Sequence, residues 1–281
     1  MKKLFPYILN ILFFLTIFVN SQNLYSFVNT HDEDDNIVSG YLMANRDYQL
    51  YRDIFSHHLP GAYLFSEQIE RVFSPKNTAQ SVFAHRGFVI TWNFFCSTFL
   101  LFIFRTKFLW AIVMVELLRS IYLFSLFQAE NLVVYPTVFL ILNLFISSKS
   151  WPILLGLANG LIAILLAPLW PLVIISTTNF VWQNIHDKQR LTRFIMATFI
   201  PVIWALMRVD IGEFISQFFG YNTLTYAPLV IESPTKYLLK TFLSPAIVLF
   251  NLSFSTKIIT SQLLVLFVFL FDIKGLVLKS G

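Results

Sequence analysis

Long apolar runs separated by short polar connections dominate this chain from end to end. The runs are continuous, so the strict alternation of a half-buried strand is missing and helices are expected. A membrane-crossing helix needs about 20 mostly apolar residues to span roughly 30 Å of hydrocarbon. On that criterion residues 4–20, 87–104, 108–127, 131–147, 151–182, 191–207, 238–255 and 262–273 read as crossings. The run 151–182 is too long for one ordinary span, and Pro168 and Pro171 break it, so it divides into two helices joined by a tight turn near 166–171. The pattern predicts an all-α polytopic membrane bundle of about nine spans, because in hydrocarbon only helices and closed barrels satisfy the backbone. Residues 1–281 form one transmembrane domain, with larger polar segments at 21–86 and 208–237.

Composition supports the same class. The 281 residues are 57% hydrophobic and 12% charged, about half the charge of an ordinary soluble domain, and the mean hydropathy is +0.69. The 32 phenylalanines insert favourably into bilayers. A net charge of +5 invites a nucleic-acid reading, but the basic residues are scattered in ones and twos with no basic face, so no nucleic-acid partner is expected. They act better as topology signals. Lys2 and Lys3 precede the first run, which resembles a signal peptide, yet residues 18–21 make a poor cleavage site, so an uncleaved anchor is expected. With the amino terminus inside, the connections at 105–107, 148–149, 186–190 and Lys257 fall on the cytoplasmic side, as the positive-inside bias requires. Segments 21–86 and 208–237 then lie outside. The lone Cys96 excludes an intrachain disulfide and a cysteine metal site.

Polar chemistry is concentrated in 21–86. Eight of the 15 carboxylates lie there: Asp32, Glu33, Asp34, Asp35, Asp47, Asp53, Glu67 and Glu70. So do four of the five histidines, His31, His57, His58 and His85. Adjacent carboxylates repel one another and raise some of their pKa values unless a cation or donors offset the repulsion. The cluster 31–36 therefore suits a general base or a divalent metal. A second cluster, 51–61, combines Asp53, the pair His57-His58 and an extended Pro60-Gly61 turn. Between them, Ile37, Tyr41, Ala44 and Tyr48 recur at helical spacing, which predicts a short amphipathic helix in the membrane interface.

Read together, Asp32-Glu33 with Asp35-Asn36, Tyr51-Arg52-Asp53, His57-His58 with Pro60-Gly61, and Arg86 give an ordered set. It resembles the GT-C superfamily of polytopic membrane glycosyltransferases, near the protein O-mannosyltransferase and aminoarabinose-transferase branch. The resemblance covers residues 1 to about 110 and extends further only by hydropathy. It implies an inverting hexosyl or pentosyl transfer in the cell envelope, from a polyprenyl-phosphate sugar donor to a glycan, lipid or protein acceptor. A first-loop carboxylate would take the acceptor proton: Asp32 with Glu33 is favoured and Asp35 is the rival. Asp53, His57, His58, Arg52 and Arg86 would hold the phosphate, with Lys236 and Lys240 as later candidates. No cofactor follows securely. Some branches use a divalent metal, for which Asp32, Asp35, Asp53 and His58 are the donors on offer. The chain is shorter than is common in the family, as expected of a compact member, a truncated product or half of an assembly. The lack of targeting signals beyond the first hydrophobic segment makes the bacterial plasma (inner) membrane the expected location, and the topology puts the site outward.

Other polar features are fewer. Glu116 and Arg119 lie inside a run at a spacing that permits a helical pair. They carry the competing reading, a transporter or lipid-handling protein with its essential groups at mid-membrane. Gly156 and Gly160 form a small-residue packing face. In 208–237, Tyr221, Asn222 and Tyr226 suit sugar recognition and could enclose a site with the first loop.

Overall fold

The computed structural model describes residues 4–22, 31–104, 112, 126–145 and 151–226. Among them regular structure is helical, apart from an isolated bridge between Leu50 and Ile54. The helices are α1 (Phe5–Gln22), α2 (His31–Arg46), α3 (Gly61–Phe73), α4 (Thr78–Phe104), α5 (Ala129–Phe145), α6 (Pro152–Leu165), α7 (Trp170–Gln183), α8 (Lys188–Leu206) and α9 (Ile211–Phe214). A 3₁₀ turn, Ala167–Leu169, joins α6 to α7 where the prolines forecast it, and α9 runs into a π-helix, Ile215–Tyr226.

The nine-span bundle is corrected by the lengths of these helices. Among the described residues one helix, α4, is long and apolar enough to cross a membrane. The number rises to two if α8 and the segment after it, bent by 100°, count as one broken span. Helices α5, α6 and α7 have 17, 14 and 14 residues. At 1.5 Å per residue they reach about 21 to 26 Å, short of roughly 30 Å. Their apolar character has another use, best seen in α6. It is buried along Leu155, Gly156, Ala158, Asn159, Gly160, Ile162, Ile164 and Leu165, the mark of a core helix. Hydropathy does not separate such a helix from a span. Run 238–255, run 262–273 and most of 108–127 lie outside the described residues, as do Glu116 and Arg119.

Close approach organises the packing. A Cβ on Gly156 would collide with the Phe194 carbonyl of α8, and one on Gly160 with that of Thr198, so the small-residue face lets α6 and α8 touch backbone to backbone. Helix α1 lies on α4, where the Asn10 amide donates to Ser97 (3.2 Å) and Thr98 (3.0 Å) and Phe14 meets Phe94 edge-on at 5.4 Å.

The segment expected as a first outer loop is largely helical. Asp32, Glu33 and Asp34 lie in the first turn of α2, where carboxylates complement the positive end of the helix dipole. The buried face of α2 is Glu33, Asn36, Ile37, Gly40 and Met43, while Tyr41 and Tyr48 are exposed. The forecast stripe is split: Ile37 faces the protein, Tyr41 is exposed, and Tyr48 lies beyond the end of α2. Gly40 sets the orientation instead, because any Cβ there would strike Ser66 of α3. Pro60 is also not extended. With φ −72 and ψ −18 it caps the start of α3, and Gly61 permits contact with α6, since a Cβ there would lie 2.7 Å from the Ile164 carbonyl oxygen.

Candidate functional site

The acids of the first cluster separate into different roles. Glu33 is 0% exposed and Arg86, on α4, is 5% exposed. They form a two-pronged pair, with Arg86 Nε donating to Oε1 at 3.0 Å and Nη2 to Oε2 at 2.6 Å. The backbone N–H of Phe127 adds a third bond to Glu33 at 2.9 Å. The sequence assigned Glu33 to proton abstraction and Arg86 to phosphate. The structure makes them each other's partner and uses them to tie α2, α4 and the start of α5 together. A buried guanidinium needs such a bidentate acceptor.

Asp32 and Asp35 remain near solvent. Asp35 accepts a 2.5 Å hydrogen bond from the Tyr63 phenol. Tyr63 in turn accepts from Ser56 Oγ at 2.9 Å, and the His58 backbone N–H donates to that same Oγ at 3.1 Å. Burial first, and the bond to Asp35 second, push the Tyr63 phenol far above the usual tyrosine range, so it stays a donor. Asp32 faces a cavity of about 340 Å³ together with Asn36, His57, His58, Glu130 and Asn222. Among the described residues it makes no hydrogen bond within the protein.

The histidine-bearing loop is knotted before it reaches this cavity. Tyr51 N–H donates to the Ile54 carbonyl at 2.9 Å, and Asp53 accepts from Gln49 N–H at 2.8 Å and from Arg52 Nη2 at 2.9 Å. Tyr51 sits at φ 69, costly for a bulky residue. It is held there by burial, by a 2.7 Å bond from its hydroxyl to the His58 carbonyl, and by Phe214. Arg52 first, then the Gln49 N–H, hold Asp53 below the usual carboxylate range. Arg52 and Asp53 are thus spent on each other at the surface, and neither lines the cavity. His57 and His58 do, with ring centroids 4.1 Å apart. Burial, followed by the neighbouring His58, holds His57 below its usual pKa, against the opposing pull of Asp35 and Asp32. His57 therefore presents a neutral imidazole near pH 7.

Segment 211–226 closes the site from the other side, as the sequence anticipated for 208–237. Gln217 donates to the Tyr51 carbonyl and accepts from Ser56 N–H at 3.0 Å. Asn222 donates to the His57 carbonyl at 2.8 Å, and Tyr221 packs on Phe55 and His57. At its root, Arg208 pairs with Glu67, which also holds Arg71. Next to the polar cavity lies an apolar one of about 370 Å³, walled by Pro60, Trp170, Val173, Val202, Phe214 and Phe219. Leu59 lines both.

The proposed metal donors are not gathered. Among the described residues no group of three or more His, Cys, Asp or Glu side chains is arranged to hold a metal ion. Asp53 is turned away to Arg52, and Asp35 to Tyr63, so the donor set does not fit a divalent cation and no step is routed through one. A different constellation escaped the sequence reading. His85 Nδ1 donates to the Ser81 carbonyl at 2.8 Å, and Nε2 accepts from Ser66 Oγ at 2.7 Å. It has the outline of a nucleophile beside its base, but both side chains are wholly buried and Gly40 seals Ser66 from above. The group is structural. Gln128, Glu130, Tyr63 and Ser56 were also missed as parts of the site. Lys236 and Lys240 fall outside the described residues. Compared with protein families, curated proteins and solved structures, the chain matches no family model, no curated protein and no solved structure.

Proposed function

We propose that this chain is a membrane glycosyltransferase that moves a sugar from a polyprenyl-phosphate donor to an acceptor hydroxyl, with inversion. One observation carries the reading: a carboxylate- and imidazole-lined cavity adjoins an apolar one across Leu59. An amphiphile with a polar reacting head and a prenyl tail needs that pairing. Asp32 is the base in this scheme, because it faces the cavity while Glu33 is consumed by Arg86 and Asp35 by Tyr63. It takes the proton of the acceptor hydroxyl as that oxygen attacks the anomeric carbon, and the polyprenyl phosphate leaves with the bonding pair. With both Arg52 and Arg86 engaged, and both Asn222 amide hydrogens given to the His57 and Phe218 carbonyls, the donors left for the leaving phosphate are the His57 and His58 imidazoles and the second amide hydrogen of Asn36.

One helix long and apolar enough to cross a membrane accords with membrane association. The proposal extends this to a multi-pass protein of the bacterial plasma membrane with the cavity outward. The test is transfer from radiolabelled polyprenyl-phosphate sugars in membranes holding equal amounts of the parent and Asp32→Asn. General-base loss predicts a fall of about 10² to 10⁴. Full transfer by Asp32→Asn would remove the mechanism, and labelling of cysteines placed near residue 52 only from the cytoplasmic side would remove the topology.

A further inference from the structure

The end of the molecule opposite the cavity carries chemistry that the glycosyltransferase reading leaves unused. Helix α7 runs from the 167–169 turn to Gln183 and α8 starts back at Lys188, so the two are joined by residues 184–187. There Asn184 is buried and donates to the Phe180 carbonyl at 2.8 Å, and its carbonyl accepts from Asp187 N–H at 2.9 Å. The connection is a built turn. An open hollow of about 650 Å³ forms beside it, lined by Trp182, Ile185, His186, Asp187 and Arg190. Trp182 is 79% exposed, an unusual position for an indole unless it meets another phase.

Charge and apolar surface are arranged in sequence from this hollow. Lys188, Arg190 and Arg193 fall within two turns at the start of α8. Among the described residues one acid lies beside them in the chain, Asp187, which caps the helix by accepting Arg190 N–H at 3.0 Å. The local balance is therefore cationic. Beyond it, Met196, Phe199, Ile200, Ile203 and Met207 are exposed along one face of α8, while Phe194, Ala197, Pro201 and Ala205 bury the other against its neighbours. The stripe from Met196 to Met207 is about 16 Å long at 1.5 Å per residue. That equals about one leaflet of a hydrocarbon core of roughly 30 Å.

We propose that the α7–α8 turn and the exposed face of α8 form a docking surface for an anionic phospholipid. The headgroup sits against Lys188 and Arg193, Trp182 lies at the interfacial level, and an acyl chain runs along the Met196–Met207 stripe. Charge complementarity selects the headgroup, and the length of the stripe selects a single leaflet. The surface does not depend on any transfer reaction.

The experiment uses the full chain in bilayers with brominated lipids, reading the quenching of Trp182 as the difference between the parent and Trp182→Phe. Brominated phosphatidylglycerol should quench at a several-fold lower mole fraction than brominated phosphatidylcholine. The preference should vanish in Lys188→Gln/Arg193→Gln, whose exposed side chains are not needed for folding. Equal quenching by both lipids overturns the proposal. So does a preference that survives the double substitution, or no quenching by either lipid, which would mean that protein covers this face.

Discussion

Replacing Glu33 by Gln separates structure from chemistry at the position where the sequence and the fold disagree most. The substitution keeps the shape of the side chain and removes its charge, so the buried Arg86 loses the Glu33 carboxylate. Two short bonds from the guanidinium and one from the Phe127 N–H converge on Glu33. An amide can keep at most part of this set, because one of its two heads is now a donor. Breaking a buried pair from one side costs about 3 to 5 kcal/mol. At about 2 to 4 °C per kcal/mol for a protein of this size class, the melting temperature should fall by roughly 6 to 20 °C. Circular dichroism of the purified chain in detergent reads that shift. Glu33→Met combined with Arg86→Met should be much less destabilised than the sum of the two single changes, since it leaves no orphaned charge. The reasoning fails if Glu33→Gln melts with the parent while transfer collapses, for then Glu33 would act on substrate.

Tyr63→Phe removes the donor to Asp35, and a bond to a charged group is worth about 1.5 to 3 kcal/mol; transfer should fall far less than in Asp32→Asn, and an equal loss would make Asp35 the base. Burial raises the Glu70 carboxyl above its usual range against the opposing Ser81 hydroxyl. Its stabilising contribution is therefore complete below the ordinary glutamate value of 4.5 and is lost as pH rises through the raised folded value. Because His57 acts in the opposite direction in the parent, the reading is the difference in melting temperature between the parent and Glu70→Gln, which should fall as pH rises from 4 to 8. For His57, whose folded pKa is depressed, stability is present above the ordinary value of 6.5 and falls as pH drops through the folded value; His57→Asn should remove that low-pH loss in the same titration. Gly160→Val pushes two methyl groups and a Cβ into the Thr198 backbone, so the α6–α8 contact should lose about 1 to 3 kcal/mol or more, measured as a lowered melting temperature.

Much of the site was legible as a neighbourhood and little of it as a set of roles. The concentration of acids and imidazoles in 31–58 pointed to the part of the fold where Asp32, His57 and His58 line one cavity. Pro168 and Pro171 located the α6–α7 turn, since proline removes a donor and fixes φ. What local pattern could not supply was the partner of each group. Glu33 and Arg86 are 53 positions apart, and only the packing of α2 on α4 turns two candidate catalytic groups into one ion pair. Tyr63 was invisible for the same reason, its phenol reaching back 28 positions to Asp35. The count of spans failed on a physical ambiguity: a helix that is apolar all round suits lipid and a protein core equally, and α6 is of the second kind.

Phe218 lines the polar cavity and Phe219, its neighbour in the chain, lines the apolar one. The two chambers thus share a partition made from a single helical turn, anchored by Gln217 and Asn222 to the histidine loop and by Arg208 to α3. Any shift that widens one compartment must also move the boundary of the other. The dimensions available to a reacting head and to its tail are geared together, and neither can be tuned alone by displacing that partition.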